Sequence, residues 1–483
     1  MESKHTSYSI SNPHKIDLDG IQKTSFGSAI LGVLLLAAAL LGVQFPNTGL
    51  VVILSLSLIV VGTAIYARRT YLLQPEGIKN NHVWFNPLTS RGVWAWVLAI
   101  ILTSFYIVLY WFPHYLGLQT GTQGANEGLI AFFDSLSIAL HGKDASQWFV
   151  YGTLYTVLIV GLGIKFIYKY RHNKYQVIRT TVVMSSQVLF AYVIPEILAA
   201  LNLNDATNAQ GKYIGWYDTD LKNVWPLDYD FFNKWHLDAM QAPDYQPLGM
   251  TYLIWGIVLF LVVTPFLSYL VGKRWYCSWI CGCGGLAETA GDSFRQLSSK
   301  KLSAWKLERW MIHLVMVFVF VMTAATLYGY FANTGSVFGL SIYTYFQKPY
   351  GFLIGAAFSG VVGVGFYPLL GSRVWCRFGC PMAGYMGLFQ RFKSKFRITT
   401  NGGQCISCGN CSTYCEQGID VRSYAQKGQN IVRASCVGCG VCSAVCPRGV
   451  LKLENAPNDG ATRYIEPEVI LGNDIDLMKF LNK

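Results

Sequence analysis

The sequence predicts a polytopic all-α membrane protein with about eight transmembrane helices and a small cysteine-rich domain at its C-terminal end. Three observations carry that prediction. Hydrophobic residues make up 52% of the 483 and charged residues only 13%, with a mean hydropathy of +0.33. An ordinary soluble domain carries about 25% charged residues. Long apolar runs recur along the chain, each near the length that crosses the hydrocarbon core. All 13 cysteines follow residue 276, and twelve of them fall into short, regular spacings. The composition excludes a soluble enzyme and also excludes disorder, which needs low hydrophobicity and high charge.

Eight apolar segments are expected, at about 26–45, 50–66, 92–112, 147–168, 177–201, 248–271, 309–331 and 350–370. The polar arm 1–25 precedes the first, which is too long and lacks the small-residue cleavage pattern of a removable signal. The stretch 125–140, with Leu129, Phe132, Phe133 and Leu136, is expected to form a short interfacial helix, and 292–308 another. Residues 26–201 form a five-helix membrane region and 248–387 a three-helix one. Between them, the loop 202–247 carries seven Asp against three Lys and many aromatics, among them Tyr213, Trp216, Trp225, Tyr229, Phe231 and Trp235. It reads as a belt or lid on the outer surface, or as a docking surface for an extracytoplasmic partner.

The formal net charge is +12. Its Lys and Arg lie mostly in short loops between apolar runs, so topology explains them and a nucleic-acid partner is not expected. Arg68, Arg69, Lys79 and Arg91, then Lys169, Arg171 and Lys174, then the 273–306 loop and the residues after 370 fall on one set of loops. The positive-inside rule puts that set, and both termini, in the cytoplasm of a bacterial-type inner membrane. Residues 388–400 read as a basic connector near anionic headgroups, 401–455 as the cysteine-rich domain, and 456–483 as a tail.

The C-terminal cysteines run Cys405-x2-Cys408-x2-Cys411-x3-Cys415 and Cys436-x2-Cys439-x2-Cys442-x3-Cys446, with Pro447 after the last. This is the bacterial two-cluster run written twice, in which the fourth cysteine of each half ligates the other half's cluster. One [4Fe–4S] cluster is therefore expected on Cys405, Cys408, Cys411 and Cys446, and a second on Cys436, Cys439, Cys442 and Cys415, in a ferredoxin-like domain. Structural zinc is the alternative, but repeated x3 steps are not its layout. Glu416 stands where the first half would carry proline, removing no ligand but changing local charge.

Cys277-x3-Cys281 follows the sixth segment and Cys376-x3-Cys380-Pro381 the eighth. Four thiols at one membrane face suffice for a third [4Fe–4S] cluster; two pairs of structural thiols are the alternative. Cys283 is the thirteenth cysteine and a substitute ligand for Cys281. Lys273, Arg274, Arg373 and Arg377 lie near enough in sequence to offset thiolate charge.

On these motifs, Cys376–Pro381 and Cys405–Pro447 above all, the chain resembles the membrane polyferredoxins of the NapH, NosR and CcoG type. The resemblance covers about 270–450 and implies electron transfer linked to quinols or to metal reduction. The chain departs from each member: Gly282 replaces a motif proline, and there is no room for a large N-terminal flavin domain or a C-terminal β-sandwich.

The expected role is that of an iron–sulfur electron-transfer subunit of a membrane redox complex. It would relay electrons between a quinone or a cofactor held by another redox subunit and redox proteins. A maturation reductase, reducing Cu(II), and a redox-sensing structural subunit are the alternatives. No haem is expected: of eight histidines only His313 lies clearly within a segment, and no Cys-x2-Cys-His motif exists. The catalytic residues stay unknown. Glu196, Arg179 and His313 are weak candidates for a quinone or proton path, because ionisable groups inside membrane helices are functional by default. Each has a plainer reading: a helix end or an arginine pair for Glu196, a membrane-edge anchor for Arg179, a bond to a neighbouring helix for His313.

Overall fold

The computed structural model describes residues 18–72, 87–119, 124–201, 225–234, 237–238, 248–272, 274–393 and 396–455. Most of the arm 1–25, most of the loop 202–247, Lys273 and the tail 456–483 lie outside the described residues.

Among the described residues, seven helices are long and apolar enough to cross a membrane: Gly20–Leu40, Thr48–Leu72, Val93–Trp111, Gln147–Lys169, Lys174–Leu198, Met250–Leu270 and Leu302–Phe331. The first two pack as a hairpin through small residues. A Cβ on Gly32 would meet Ser55 O at 2.6 Å, and one on Gly62 would meet Ser25 O at 2.7 Å. Ser55 Oγ closes the gap by donating to Gly32 O at 2.8 Å. Close backbone approach of this kind is how helices associate in lipid, where no hydrophobic drive exists between them.

The eighth expected segment, 350–370, takes a different form. Three pieces, Tyr343–Gln347, Lys348–Tyr350 and Gly351–Val362, follow one another as one helical run, wound wide for most of its length. A turn and a short helix, Tyr367–Leu370, then follow. The wide winding has a cause. The π turns Leu189–Val193, Leu259–Val263 and Tyr343–Gln347 each end two residues before a proline, at Pro195, Pro265 and Pro349. Proline lacks an N–H and crowds the preceding turn, so the helix widens there. Thr264 holds the second of these turns closed, its backbone N–H and its Oγ1 both donating to Leu259 O, the latter at 2.7 Å.

The stretch 125–140 is not interfacial. It is the helix Gly128–His141, and its Leu129, Ile130, Phe132 and Phe133 are buried in a core with Val52, Leu109 and Phe149. Its apolar face is wide enough to be covered by three longer helices instead of by lipid. Residues 292–308 are likewise built in: a 3-10 turn, Ala290–Leu297, buries Asp292, Phe294 and Arg295 before the Leu302–Phe331 helix begins.

The described part of the acidic loop folds back onto the helices. Phe231 is fully buried against Gly256, where a side chain would collide with its ring, and the Tyr229 ring lies on Gly351 and Gly355. Trp225 Nε1 donates to Thr323 Oγ1 at 2.9 Å. These contacts seat Trp225, Tyr229 and Phe231 on the helices; Tyr213, Trp216 and Trp235 lie outside the described residues.

The C-terminal module begins earlier than expected. After the helix Pro381–Lys393, strand Phe396–Thr400 pairs antiparallel with Leu451–Asn455, joining Phe396 to Asn455 and Thr400 to Leu451. The module thus opens and closes on one two-stranded sheet. Arg397, Ile398, Thr399 and Thr400 are buried in it, so this half of the expected basic connector is core and not headgroup anchor.

Candidate functional site

The first thiol nest lies in the C-terminal module. Cys405, Cys408, Cys411 and Cys446 line one pocket with Ile406 and Gly409. Three come from the first half of the repeat and the fourth from the last position of the second. The loop can fold this tightly because Ser407 and Gly409 take left-handed backbone, with φ of 62° and 79°. Cys408 is exposed, unlike the other twelve thiols.

The second nest gathers Cys436, Cys439, Cys442 and Cys415. Cys439, Cys415 and Cys436 each lie close enough to raise the Cys442 thiol electrostatically, burial being the larger cause. Ile419 N donates to Cys415 Sγ at 3.4 Å, a bond that in iron–sulfur proteins helps set potential. Burial pushes Cys411 and Cys439 up to about 12, so metal binding at either must displace a proton.

This second nest is seated on the membrane part. Tyr175 OH donates to Gly438 O at 2.9 Å, Gln176 Nε2 to Cys439 O at 2.6 Å and Arg274 Nε to Ala434 O at 2.9 Å, while Ser278 Oγ donates to Val437 O. Val437 itself is buried in one core with Cys277, Cys281, Cys376 and Cys380, and Cys439 packs against that core.

Those four buried thiols form the third nest. Cys277 and Cys376 share a hydrogen bond, and Cys281 and Cys380 are near enough to raise Cys277 further. Cys376 is lowered to about 6, by the Cys277 bond and then by Arg373 against burial. Arg373 Nη1 reaches Cys277 O at 3.2 Å and Cys376 Sγ at 3.8 Å, and Arg274 Nη1 reaches Cys376 O at 2.8 Å. Ala383 N donates to Cys380 Sγ at 3.4 Å. Cys283 lies at the edge of this nest, bonded to Cys281. The adjacent Gly284 leaves no room for a side chain, since a Cβ there would strike Cys277 O.

The nests suit a cluster better than a single ion. Among the described residues no three His, Cys, Asp or Glu converge closely enough to hold one metal ion. A single ion bound at about 2.3 Å needs its sulfurs nearly in contact, whereas a four-iron cube holds them apart around a larger body. Buried donors point the same way: Arg373 Nε, beside Cys376, has no hydrogen-bond partner among the described residues.

Sequence reading missed the ionic bridge that joins module to membrane part. Glu416, 1% exposed, pairs with Arg295 at 2.7 Å and with Arg373 at 3.0 Å. Arg295 also pairs with Asp292 at 2.7 Å, and Asp292 with Lys169 at 2.6 Å. Ser298 Oγ donates to Glu416 O at 2.7 Å. Arg377 pairs instead with Glu308 at 2.7 Å and donates to Ser299 O at 2.8 Å. The one signal was Glu416 itself, an acid where the repeat calls for proline.

Comparison with known proteins now bears on these nests. Residues 404–451 match a 4Fe–4S dicluster domain. Residues 253–304 and 352–399 each match a 4Fe–4S binding domain, and they contain the Cys277–Cys281 and Cys376–Cys380 pairs. This is a membrane protein that carries 4Fe–4S domains. It is similar to the "Putative electron transport protein YccM" of Escherichia coli K12, 26% identical over 202 residues. The match covers 40% of this chain and 53% of the relative, so the chain spans about half the length of the curated protein it matches. No solved structure matches the chain.

The three weak candidates fare differently. Arg179 is fully buried and gripped by Glu288, with Gln176 Oε1 at 2.7 Å. It is a tie between two helices and not a membrane-edge anchor, because a buried guanidinium needs a carboxylate and Glu288 supplies it. Glu196 lies 2.6 Å from His141 Nδ1, a partner from the Gly128–His141 helix that sequence spacing did not indicate. His313 is exposed on its helix and its Nδ1 contacts Arg309 O at 2.5 Å, so it bonds its own turn and not a neighbouring helix.

Proposed function

We propose that the chain is the iron–sulfur electron-transfer subunit of a membrane redox complex. The two C-terminal nests would each hold a [4Fe–4S] cluster, on Cys405, Cys408, Cys411 and Cys446 and on Cys415, Cys436, Cys439 and Cys442. Cys277, Cys281, Cys376 and Cys380 would hold a third. When bound, such clusters supply one-electron oxidation and reduction. The observation that carries the reading is the order of the nests: the first opens to solvent at Cys408, the second packs on the membrane part through Val437 and Cys439, and the third is buried beneath it.

The chain's own residues have definable tasks in this reading. Arg274 and Arg373 offset the negative charge of thiolates in a dry site, where unscreened charge is costly. Val437, Met382 and Met386 exclude water around the third nest. Glu416 and Arg373 hold the module at a fixed distance from it. The partner that exchanges electrons at the membrane end is a quinone or a cofactor on another subunit. The loop charges support a topology with both termini in the cytoplasm.

Anaerobic purification tests the reading. Iron and inorganic sulfide should each approach about twelve per chain, with reducible iron–sulfur signals by electron paramagnetic resonance. Folded protein carrying zinc, or no metal, would overturn it.

A further inference from the structure

The exposed end of the C-terminal module has a charge and shape that the electron-transfer reading leaves unassigned. Among the described residues of 396–455, the exposed charged side chains are Arg422, Lys427, Arg448 and Lys452, all cationic. The acids of the same stretch are withdrawn: Glu416 is buried in its arginine pairs, Asp420 bonds Ser412 Oγ at 2.7 Å, and Glu454 bonds Thr399 Oγ1. Two of the cations stand at the first thiol nest. Arg422 and Arg448 line the same pocket as its four cysteines, and Arg422 Nη1 is the atom nearest a Cβ placed on Gly409, at 3.9 Å. Ile406 lines the same pocket and is 56% exposed, an apolar contact beside the exposed Cys408.

We propose that this end is the docking face for an acidic, soluble one-electron carrier protein. The proposal rests on the electron-transfer reading and adds the partner's chemistry. Small electron-transfer interfaces are weak and short-lived, and opposite charge steers them together. Two cations and an exposed apolar side chain lining the pocket of the four thiols suit that task. An anionic lipid surface is the rival for basic residues, but the module already meets the membrane part through its opposite loop, 434–440. The exchange makes and breaks no bond: the carrier loses or gains the one electron that the nest's cluster gains or loses.

The test uses the full chain, with clusters assembled, in nanodiscs of zwitterionic lipid. The probe is an acidic plant-type [2Fe–2S] ferredoxin, and a basic cytochrome c serves as the opposite-charge control. Ferredoxin affinity should fall at least about tenfold between 50 and 300 mM salt. The double variant Arg422→Glu, Arg448→Glu should weaken it by at least about tenfold more. Arg422→Lys, Arg448→Lys should retain it, and iron content measured on both variants separates lost docking from a lost cluster. Equal ferredoxin binding by the charge-reversed protein would overturn the proposal. So would preferential binding of cytochrome c, or loss confined to binding of anionic vesicles. Absent iron–sulfur signals would instead defeat the electron-transfer reading, and charge-dependent ferredoxin binding would still be measurable.

Discussion

Glu416 occupies the position that Pro447 holds in the second half of the repeat, and its carboxylate is the hinge-pin of the assembly. It is enclosed with Arg295 and Arg373, each of the three no more than 1% exposed. Breaking a buried pair costs about 3–5 kcal/mol, because the partner charge stays buried without compensation. Glu416→Gln should therefore loosen the module without removing a ligand. Hydrogen exchange across 396–455 should quicken by about a hundredfold, the equivalent of some 3 kcal/mol. Unchanged exchange would show that the network contributes nothing to docking.

Three other residues carry predictions of their own. Burial raises the Asp292 carboxyl, but Lys169 and Arg295 outweigh it and hold the group down at about 2, from an ordinary 3.8. A carboxyl lowered on folding stabilises the protein above its unfolded value, and that contribution is lost as pH falls through the folded value. Acid titration of the wild type should show this loss between about pH 4 and pH 2, and Asp292→Asn should lack it. Cys281 and Cys283 are separable in the same way. Cys281 is buried among the four thiols while Cys283 sits at their edge. Cys281→Ser should lower iron by about four per chain if the third nest holds a cube, whereas Cys283→Ser should leave it unchanged; the reverse result would exchange their roles.

At the scale of elements, what could be read from sequence depended on whether the signal was local. Cysteine spacing is local, and the nest on Cys405, Cys408, Cys411 and Cys446 could be written down before any fold was known. Apolar length is also local, and it found the seven spanning helices. It did not find that Tyr343–Val362 is wound wide, although Pro349 and five glycines between 351 and 365 give the physical cause in hindsight. The ionic bridge was invisible for a different reason. Arg295 and Glu416 are 121 residues apart, and in the sequence each is only one more charge in a basic or cysteine-rich stretch. The same holds for Glu196, whose partner His141 sits on a helix that spacing assigned to the interface. Docking of elements also explains Gly440, which has φ of 70° and leaves 2.9 Å from a would-be Cβ to Leu453 and 3.2 Å to Gln176 Nε2. Gly440→Ala would be strained in its backbone and would push the second nest off Gln176, so the Gln176–Cys439 bond should open. Loss of about 1–2 kcal/mol in module stability by denaturant titration is the expected outcome.

For the molecule as a whole, the placement of the thiols determines what topology must hold. The Leu302–Phe331 helix starts next to Lys300, which reaches Thr413 O in the module at 3.3 Å. Thirty residues of helix run about 45 Å, ending at the hairpin Ser336–Ser341. The Tyr343–Val362 run then returns the chain to Cys376, which lies against Cys277 at the module's end. A hydrocarbon core of about 30 Å fits between hairpin and module, so the proposed topology places the two on opposite sides of the membrane. In the proposed topology the loops with Arg68, Arg69, Arg171 and Lys174 share the module's side, and their charge would make that side cytoplasmic. Alkaline phosphatase inserted after Ser336 should therefore be active, and the same enzyme fused after Asn455 inactive. Activity at both positions would mean that Tyr343–Val362 does not return across the bilayer, and inactivity at both would mean that Leu302–Phe331 does not cross it.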